Sequence, residues 1–598
     1  MTILVQSHGG PVDAGRIPMR RSGSRAGLPA DGDVAADEQA DFGYLFPPSD
    51  NADDYLDGAS VDDLDALAGH MVPDTEPDDT ESTLPAVMTY WGQFLDHELT
   101  ARTDRDAGMS NIETGQPVFP AADIERLLKN ARTPRFDLDS VYGGMPIGGG
   151  MTPDMAAKAA TVIAGMRHPT QRAKMRVGTC LTGGDNDPIP DSLDAHRDLP
   201  RFAQVEQHVR QAYLDIARSQ LSPAEFARLQ ADLPRRAIIG DKRNEENLVI
   251  AQFHLSFLRF HNRVVDYLNG HDTGWIAEFS SARDLVRLHY QWLTVHVYLR
   301  SVCDPAVVDR ILNDRARLFF AFRDAYYARN PSRTLGNVLP LEFSVAAYRF
   351  GHTMVRGIYD YNPNFGRPGA ILSESPFELL FRFTAGGKFR PADSFPAKPK
   401  LPANWIIDWP RFLNVKTDFD DGLSQHAARS IDTVLAPPLG DMVNEGGDAP
   451  TPDLRALFRH LARRNLRRGL SLRLPTGQAL HRHLKAQGAV LSEPIDDIAT
   501  ALRNKPDLAD FLRGSGSGLH CRTPLWFYVL AEAEAAGGNR LGELGSWIVA
   551  SSFIGVMLSD PDSALSRGFA PNHSPVRMPD GSPIDSLEKW MRFALVMA

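Results

Sequence analysis

The stretch WGQFLDHELT, residues 91–100, places a glutamine, two acids and a histidine among apolar neighbours. On a helix, Gln93 and His97 are i,i+4 and Asp96 is i+3 from Gln93, so these three side chains share one face. Glu98 lies about 100° further round the helix. Such a face could move protons, because an imidazole titrates near neutral pH. The alternative is a core histidine with a satisfied hydrogen bond and an exposed Glu98.

A second segment, RTPRFDLDSVYGG at residues 132–144, alternates oxygen-bearing side chains with backbone carbonyls. Thr133, Asp137 and Asp139 supply the side-chain oxygens. A hard cation such as Ca²⁺ takes six to eight oxygen ligands, so this alternation predicts a cation-binding loop that is not an EF-hand. The alternative is a turn whose two acids are simply solvated.

Three further segments each place two polar or charged side chains about one helical turn apart, which lets both face one site. The alternatives are an ordinary charged helix start and a buried histidine with a satisfied hydrogen bond. The pairs are Arg243 with Glu246 in GDKRNEEN (240–247), Arg349 with His352 in AAYRFGHTMV (346–355), and Asn465 with Arg468 in ARRNLRRGLSLRLPTGQ (462–478).

Taken in order, these five segments resemble the motifs of the animal-type haem peroxidases, the peroxidase–cyclooxygenase superfamily, and in particular its bacterial members. WGQFLDHELT is similar to the distal-histidine motif, RTPRFDLDSVYG to the calcium loop and GDKRNEEN to the catalytic-arginine motif. YRFGH is similar to the proximal-histidine motif and NLRRG to the proximal-asparagine motif. TPLWFYVLAEAE and LGELGSWIVASSFIGVMLSDP also resemble the bacterial branch, so the resemblance runs from about residue 85 to 560.

The resemblance implies an enzyme with haem b that reduces hydrogen peroxide through compound I and oxidises small organic donors or halides. His352 would be the axial ligand of the haem iron, and Asn465 would accept from its second ring nitrogen. His97 would be the distal acid–base group, since splitting a peroxide needs a proton taken from one oxygen and returned to the other. Arg243 would stabilise charge on the leaving oxygen. Gln93 would position distal water or a halide.

The resemblance also implies contacts to the haem periphery and a calcium ion. Arg349 and Arg468 correspond to arginines near the haem propionates, where a guanidinium fork fits a carboxylate. Asp96 and Glu246 fall on the positions that esterify haem methyl groups, and the sequence leaves open whether these bonds form. The implied calcium ligands are Glu98, Thr133, Asp137, Asp139 and the carbonyl of Arg135.

Two positions depart from the family pattern. Asn247 stands where a myeloperoxidase-like methionine adds a sulfonium link, which argues against the high-potential, chloride-oxidising chemistry of that branch. Glu98 stands where the family usually has an aspartate that ligates calcium. Its carboxylate reaches one methylene further, so we expect a shifted or weakened calcium site.

Two other functions remain open. A fatty-acid dioxygenase of the same superfamily carries a radical-forming tyrosine three residues before the proximal histidine, where this chain has Arg349. Tyr348 lies one residue further back and on a helix would point about 100° away, which favours a peroxidase. The second alternative, from another class, is a non-catalytic haem- or calcium-binding protein.

The elements that must position these residues are mainly helical. Apolar residues recur at three- and four-residue spacing in 202–221, 452–470 and 246–270, and the last of these ends at Asn-Gly. We therefore predict a mainly α, large single-domain helical fold with long loops and little β, covering residues 81–598. Residues 1–80 are rich in Asp, Gly, Pro and Ala and predict a poorly ordered or wrapping acidic arm.

Composition and short sequence signals argue against several classes of partner and location. A net charge of -11 and the lack of a dense basic block argue against nucleic acid and anionic membranes. Three widely spaced cysteines without a CxxC argue against a disulfide framework or a thiolate zinc site. The longest apolar run, residues 547–558, is too short to span a bilayer and predicts a buried helix. No apolar signal region follows the N-terminal charges, so we expect a cytoplasmic protein or leaderless export, with the oligomeric state open.

Overall fold

Helices dominate the computed structural model of the chain, as the apolar spacing predicts. The structure describes residues 40–75, 81–100, 112–115, 119–130, 132–144, 152–182, 195–331, 333, 336, 338–384, 400–415, 426–442, 445–446, 449 and 451–597. The first eleven helices are α1 (Val61–Met71), α2 (Val87–Leu99), α3 (Ala121–Leu127), α4 (Asp139–Tyr142), α5 (Pro153–Gly165), α6 (Gln207–Arg218), α7 (Pro223–Asp232), α8 (Leu248–Gly270), α9 (Phe279–Leu293), α10 (Arg300–Val302) and α11 (Pro305–Asn313). The others are α12 (Arg317–Arg329), α13 (Leu341–Val345), α14 (Trp409–Phe412), α15 (Pro452–Arg459), α16 (Leu461–Ser471), α17 (Gly477–Ala486), α18 (Pro506–Gly514), α19 (Leu525–Ala535), α20 (Glu543–Leu558) and α21 (Leu587–Phe593).

The β structure is small, as predicted. Strand β1 (Ala40–Gly43) lies between β3 (Lys129–Asn130), to which it is antiparallel, and β4 (Val338–Pro340), to which it is parallel. Strand β2 (Glu81–Pro85) pairs antiparallel with β5 (Ala427–Arg429). Within the segment predicted to be an arm, residues 40–75 supply β1 and α1, and α1 packs against α16. Residues 1–39 lie outside the described residues.

Helix α2 carries Gln93, Asp96 and His97 and is fixed by aromatic packing on α8. The ring of Phe94 stacks on that of Phe257 with 4.5 Å between centroids, and the ring of Phe253 meets it edge-on at 5.6 Å. Burying a phenylalanine side chain contributes about 1.5–3 kcal/mol. This packing therefore fixes the rotation of α2, and with it the direction of its polar face.

Two of the helix boundaries predicted from the sequence shift. Helix α8 begins at Leu248, because the side chain of Asn247 accepts from the backbone N–H of Ile250 at 2.9 Å and caps it. The segment 452–470 forms two helices, α15 and α16, because His460 is extended with ψ 100°. Helix α16 begins after this break, at Leu461, and carries Asn465.

The apolar run near the C-terminus forms α20, a helix buried on all sides over most of its length, which confirms its predicted character. It packs against α11, α12 and α19. In the part of the chain that the structure describes, no helix has the length and apolar character needed to cross a membrane.

Candidate active site

A cavity opens between α2 and the 3-10 helix Ala347–His352. Five of the residues singled out in the sequence meet at its wall: Gln93, Asp96, Glu246, Arg349 and His352. Apolar side chains complete the wall and include Met88, Phe377, Leu380, Phe381, Leu439 and Leu461. Three sequence segments that are far apart in the chain therefore converge on one apolar space with a few polar groups.

His352 is held by Asn465 of α16. The side-chain amide of Asn465 lies 2.9 Å from Nδ1 of His352, and Nη1 of Arg468 donates to Oδ1 of Asn465 at 3.3 Å. Asn465 and Arg468 are fully buried. If Nε2 of His352 ligates a metal, Nδ1 carries the proton, and Asn465 must turn its oxygen toward the ring to accept it. A rotation of the carboxamide by 180° provides this arrangement and gives up the hydrogen bond from Arg468.

Gln93 is held at both ends of its carboxamide. Its Nε2 donates to Oε2 of Glu246 at 3.3 Å, and its Oε1 accepts from Nδ2 of Asn247 at 3.0 Å. Asp96 accepts from the hydroxyl of Thr100 at 2.7 Å. Asn247, which departs from the family pattern, thus fixes which end of Gln93 is a donor and which is an acceptor.

His97 follows Asp96 on α2 and is fully buried. Its Nδ1 lies 2.7 Å from Oδ1 of Asn244, and Nδ2 of Asn244 lies 3.1 Å from Nδ1 of His254. His97 is not one of the residues that line the cavity, although its neighbour Asp96 is. Its predicted role as the distal acid–base group stays a prediction.

Arg243 lies behind the end of α2 and not at the cavity wall. Its guanidinium pairs with Asp241 at 2.8 Å and donates to the carbonyls of Thr100 at 2.8 Å and His97 at 2.9 Å. These carbonyls belong to the last turn and cap of α2, where acceptors lack helical partners. The pairing expected from the sequence, Arg243 and Glu246 facing one cavity, is therefore wrong in this structure, and a role for Arg243 on a leaving oxygen stays a prediction.

Arg464 is a cavity residue that the sequence analysis missed. It lines the cavity beside Arg349, whereas Arg468, one turn further along α16, contacts Asn465 and is not among the lining residues, so its place near the propionates stays a prediction. Arg464 is buried, donates to the carbonyl of Phe458 at 3.2 Å and lies 3.7 Å from Glu445. The signal was present in the sequence, because Arg464 and Arg468 are i,i+4 on a predicted helix and so share a face.

Glu98 joins the predicted cation loop. The carboxylate oxygens of Glu98, Asp137 and Asp139 lie within 4.8 Å of one another. Glu98 is fully buried, so the alternative of an exposed side chain is wrong. Its carboxylate accepts from the backbone N–H groups of Leu138 at 2.8 Å and Ser140 at 3.2 Å. These bonds tie α2 to the loop.

A buried arginine, Arg132, lies among these acids and was not singled out in the sequence. It pairs with Asp139, and its guanidinium lies 3.5 Å from Glu98 and 3.6 Å from Asp241. Burial and the nearby Asp139 raise the pKa of Glu98 to about 8, and burial raises that of Asp139 to about 7. Burial also disfavours the charge of Asp241, but Arg243 and Arg132 outweigh it and hold the pKa of Asp241 below its usual value.

The acids outnumber the cations in this cluster. Four carboxylates, those of Glu98, Asp137, Asp139 and Asp241, are set against the guanidinium groups of Arg132 and Arg243. Ca²⁺ bonds of about 2.3–2.6 Å keep opposite ligand oxygens within about 5 Å of each other, which the three clustered carboxylates satisfy. The donor set thus fits a divalent hard cation. Thr133 and Arg135 lie half-buried in the same loop.

Tyr348 lines the cavity together with Arg349, although the two were expected to point apart. The segment is a 3-10 helix, and both side chains border the same space. The hydroxyl of Tyr348 lies 3.2 Å from that of Tyr298, which also lines the cavity from a π-helix, Thr294–Leu299. The expected divergence from Arg349 therefore does not keep Tyr348 away from the cavity.

The donors around the cavity suit a haem. His352 offers an imidazole for iron, the guanidinium groups of Arg349 and Arg464 suit carboxylates such as propionates, and the aromatic and aliphatic wall suits a flat apolar ring. These residues therefore fit this cofactor.

Comparison with known proteins points the same way. The family model for the animal haem peroxidase matches residues 204–377. A peroxidase-like protein of Margaritifera margaritifera is 34% identical over 301 residues, covering 49% of this chain and 34% of that protein. Thyroid peroxidase of Rattus norvegicus is 24% identical over 297 residues, covering 47% of this chain and 30% of that protein. The matched part of the chain thus spans about a third of the length of these relatives.

The fold as a whole resembles a solved peroxidase. Peroxidase A from Dictyostelium discoideum superposes with a TM-score of 0.51 over 94% of this chain and 93% of that chain, at 14% sequence identity. This likeness concerns the fold, while the family model and the relatives concern the sequence. A bacterial branch stays a prediction. The order of the five motifs, the helical fold and these matches agree, and together they support the animal-type haem peroxidase superfamily, whose family model matches residues 204–377 of this chain.

Proposed function

We propose that the protein is a haem-dependent peroxidase that reduces hydrogen peroxide and oxidises small organic donors or halides. One observation carries this proposal. His352, which is hydrogen-bonded to Asn465, lines the same cavity that Gln93 and Asp96 reach from α2. A histidine that would hold the iron, and polar side chains that reach the same apolar cavity from another helix, are what peroxide chemistry at a haem needs.

Haem, when bound, supplies cleavage of the O–O bond and storage of the oxidising equivalents. His352 would hold the iron through Nε2, and Arg349 and Arg464 would hold the propionates. His97 would take the proton of the peroxide and return it to the leaving oxygen. Gln93, with its acceptor oxygen engaged by Asn247, would present its remaining N–H to the cavity, where a lone pair or an anion can accept it.

We also propose that Asp96 and Glu246 can each form an ester bond to a haem methyl carbon: one methyl C–H bond breaks, a proton is released, and hydrogen peroxide takes up the two electrons and is reduced to water. Both carboxylates line the cavity, one on α2 and one just before α8. Denatured-protein mass spectrometry before and after peroxide tests this. An added haem mass that survives in Asp96→Asn and in Glu246→Gln but disappears in the double variant supports it, whereas haem lost from the wild type on denaturation after peroxide argues against it.

The proposed calcium ion would sit at Glu98, Asp137 and Asp139, with Thr133 and the carbonyl of Arg135 completing its ligands. The excess of acids over arginines and the spacing of their oxygens support this site. By joining α2 to the loop, the ion would stiffen the helix that carries His97. Luminescence of Tb³⁺, a calcium mimic, tests it: calcium should displace the signal in the wild type, and Asp137→Asn should weaken it.

The optical spectrum and turnover of the purified protein test the main proposal. We expect a haem band that changes on peroxide addition, with oxidation of guaiacol or bromide. His352→Gln should lose both, while His271→Gln, an exposed control, should keep both. A haem-loaded protein whose spectrum ignores peroxide would instead indicate a non-catalytic haem- or calcium-binding protein.

One observation favours the fatty-acid dioxygenase as a second candidate: the hydroxyl-bonded pair Tyr348 and Tyr298 borders the cavity. A tyrosine in that place could pass an oxidising equivalent to an apolar substrate. Oxygen uptake on linoleate without added peroxide, lost in Tyr348→Phe, would favour this function over a peroxidase. Turnover of guaiacol by the same variant at the wild-type rate would favour the peroxidase.

A further inference from the structure

A histidine outside the proposed reaction is connected to His97 by a single side chain. His254 lies inside α8 and is fully buried, as are Asn244 and His97. Asn244 stands between the rings, 2.7 Å from Nδ1 of His97 and 3.1 Å from Nδ1 of His254. The three residues form one hydrogen-bonded row that crosses from α2 to α8.

The chemistry of a carboxamide couples the two rings. The amide of Asn244 has one acceptor oxygen and one donor NH₂ group, so a neutral ring facing its oxygen must donate and a neutral ring facing its nitrogen must accept. The structure turns Oδ1 to His97 and Nδ2 to His254. His97 then carries its proton on Nδ1, and Nε2 keeps the lone pair that a base needs.

We propose that His254 is a positioning residue that acts through Asn244 to keep the proton of His97 on Nδ1 and its lone pair on Nε2. The proposal rests on the peroxidase function proposed above and names a residue that this function does not yet include. Without the acceptor at His254, either orientation of the Asn244 amide leaves one of its groups unpaired in this row, so the amide is free to turn its NH₂ group to His97. That rotation moves the proton of His97 to Nε2 and removes the base.

The surroundings of His254 support this role. Burial lowers the pKa of His254 to about 3, so the ring is neutral and Nδ1 can accept. The backbone of Asn244 is fixed as well, because its N–H donates to the carbonyl of Asp241 at 3.0 Å in the 3-10 helix Lys242–Glu245. On the other side, Phe94 lies 6.3 Å from the ring of His254 and belongs to the same packing that fixes α2. His254 therefore acts on the orientation of the Asn244 carboxamide and not on the position of its backbone.

Ligand binding to the haem-loaded protein at pH 8 tests the proposal without turnover. Hydrogen cyanide binds ferric haem as the anion and gives its proton to a base, whereas carbon monoxide binds ferrous haem without proton transfer. In His254→Leu we expect the cyanide association rate to fall at least about tenfold, since a general base contributes about 10²–10⁴-fold. The carbon monoxide rate should stay within about twofold of the wild type, because the space around the iron is unchanged.

A conservative variant separates the role of the acceptor from simple packing. Asparagine places its Oδ1 near the place of Nδ1 of a histidine, so His254→Asn can accept from Asn244 and should restore most of the cyanide rate. Neutron diffraction gives a second, haem-independent measurement. We expect deuterium on Nδ1 of His97 and none on Nδ1 of His254.

Several outcomes would overturn the proposal. They are an unchanged cyanide rate in His254→Leu, an equal loss of the cyanide and carbon monoxide rates, no recovery in His254→Asn, or deuterium on Nδ1 of His254. Failure of the proposed function looks different, because the wild type would then bind no haem or show no response to peroxide. The neutron measurement on the haem-free protein decides the proton positions in that case too.

Discussion

Adding one methyl group to Gly92 should destabilise the protein, although an alanine normally favours a helix. Gly92 lies in the middle of α2, and a Cβ there would lie 2.5 Å from the hydroxyl of Tyr298 and 3.7 Å from that of Tyr348. The hydroxyl of Tyr348 donates to the carbonyl of Gly92 at 3.1 Å and lies 3.2 Å from that of Tyr298. Gly92→Ala must therefore push Tyr298 away and disturb these bonds.

The size of the effect follows from three contributions. Replacing glycine by alanine inside a helix stabilises by about 0.5–1 kcal/mol. Leaving a buried hydroxyl without its partner costs about 1–3 kcal/mol, and overpacking costs about 1–3 kcal/mol. The net expectation for Gly92→Ala is a loss of about 2–4 kcal/mol.

In a protein that already carries Tyr298→Phe, the effect of Gly92→Ala on stability should reverse its sign. The hydroxyl oxygen is then gone, and the nearest ring carbon of residue 298 is 3.5 Å from the added Cβ, an ordinary contact. Tyr298→Phe alone should cost about 1 kcal/mol for one lost hydrogen bond. Adding Gly92→Ala to it should then stabilise by up to about 1 kcal/mol.

Urea unfolding of the haem-free protein, followed by circular dichroism, measures this double-mutant cycle. We expect a coupling of about 3–5 kcal/mol between the two positions. A Gly92→Ala cost that is the same in both backgrounds, or no cost in the wild type, would refute the reasoning. The haem band of each variant shows in parallel whether the position of α2 is kept.

Three further outcomes are expected. Burial raises the pKa of the Glu342 carboxyl from 4.5 to about 7, although two backbone N–H groups donate to it. The protonated carboxyl therefore adds to the free energy of unfolding below pH 4.5, and this contribution is lost as the pH rises to about 7. Glu342→Gln should remove about 3 kcal/mol of that pH dependence in urea midpoints, and an unchanged slope would contradict this. Asn247→Ser keeps the α8 cap but cannot reach Gln93, so the N–H of Gln93 is no longer fixed toward the cavity. A bound fluoride would lose this donor and should bind the ferric protein about three- to tenfold more weakly, while the lost hydrogen bond lowers the free energy of unfolding by about 0.5–1.5 kcal/mol. Calcium at about 100 times its dissociation constant should stabilise the wild type by about 2.7 kcal/mol and Glu98→Gln far less. Equal stabilisation of both proteins would place the ion elsewhere.

Local patterns in the sequence predicted much of the fold and of the site. The apolar spacing at three and four residues predicted α6, α8 and α20, because a helix must bury one face or, in α20, all of them. Their ends were less predictable, since capping depends on single side chains. Asn247 starts α8 two residues late, and the extended backbone of His460 splits a continuous pattern into α15 and α16.

The sequence by itself determined which residues could do chemistry, because residue type and spacing along a helix are local properties. Gln93, Asp96, Glu246, Arg349 and His352 could be singled out in this way, and all five line the cavity.

The tertiary structure alone decided which partners these residues have. Arg132 lies among the acids of the cation loop, Arg464 faces the cavity, and Arg243 turns behind α2. Asn244 joins two histidines that the chain keeps far apart. Arg132 reaches Glu98 and Asp241, and Arg243 and Asn244 both reach His97, across long stretches of the chain. The packing of the helices, which no local spacing encodes, determines which partner each of these polar side chains meets.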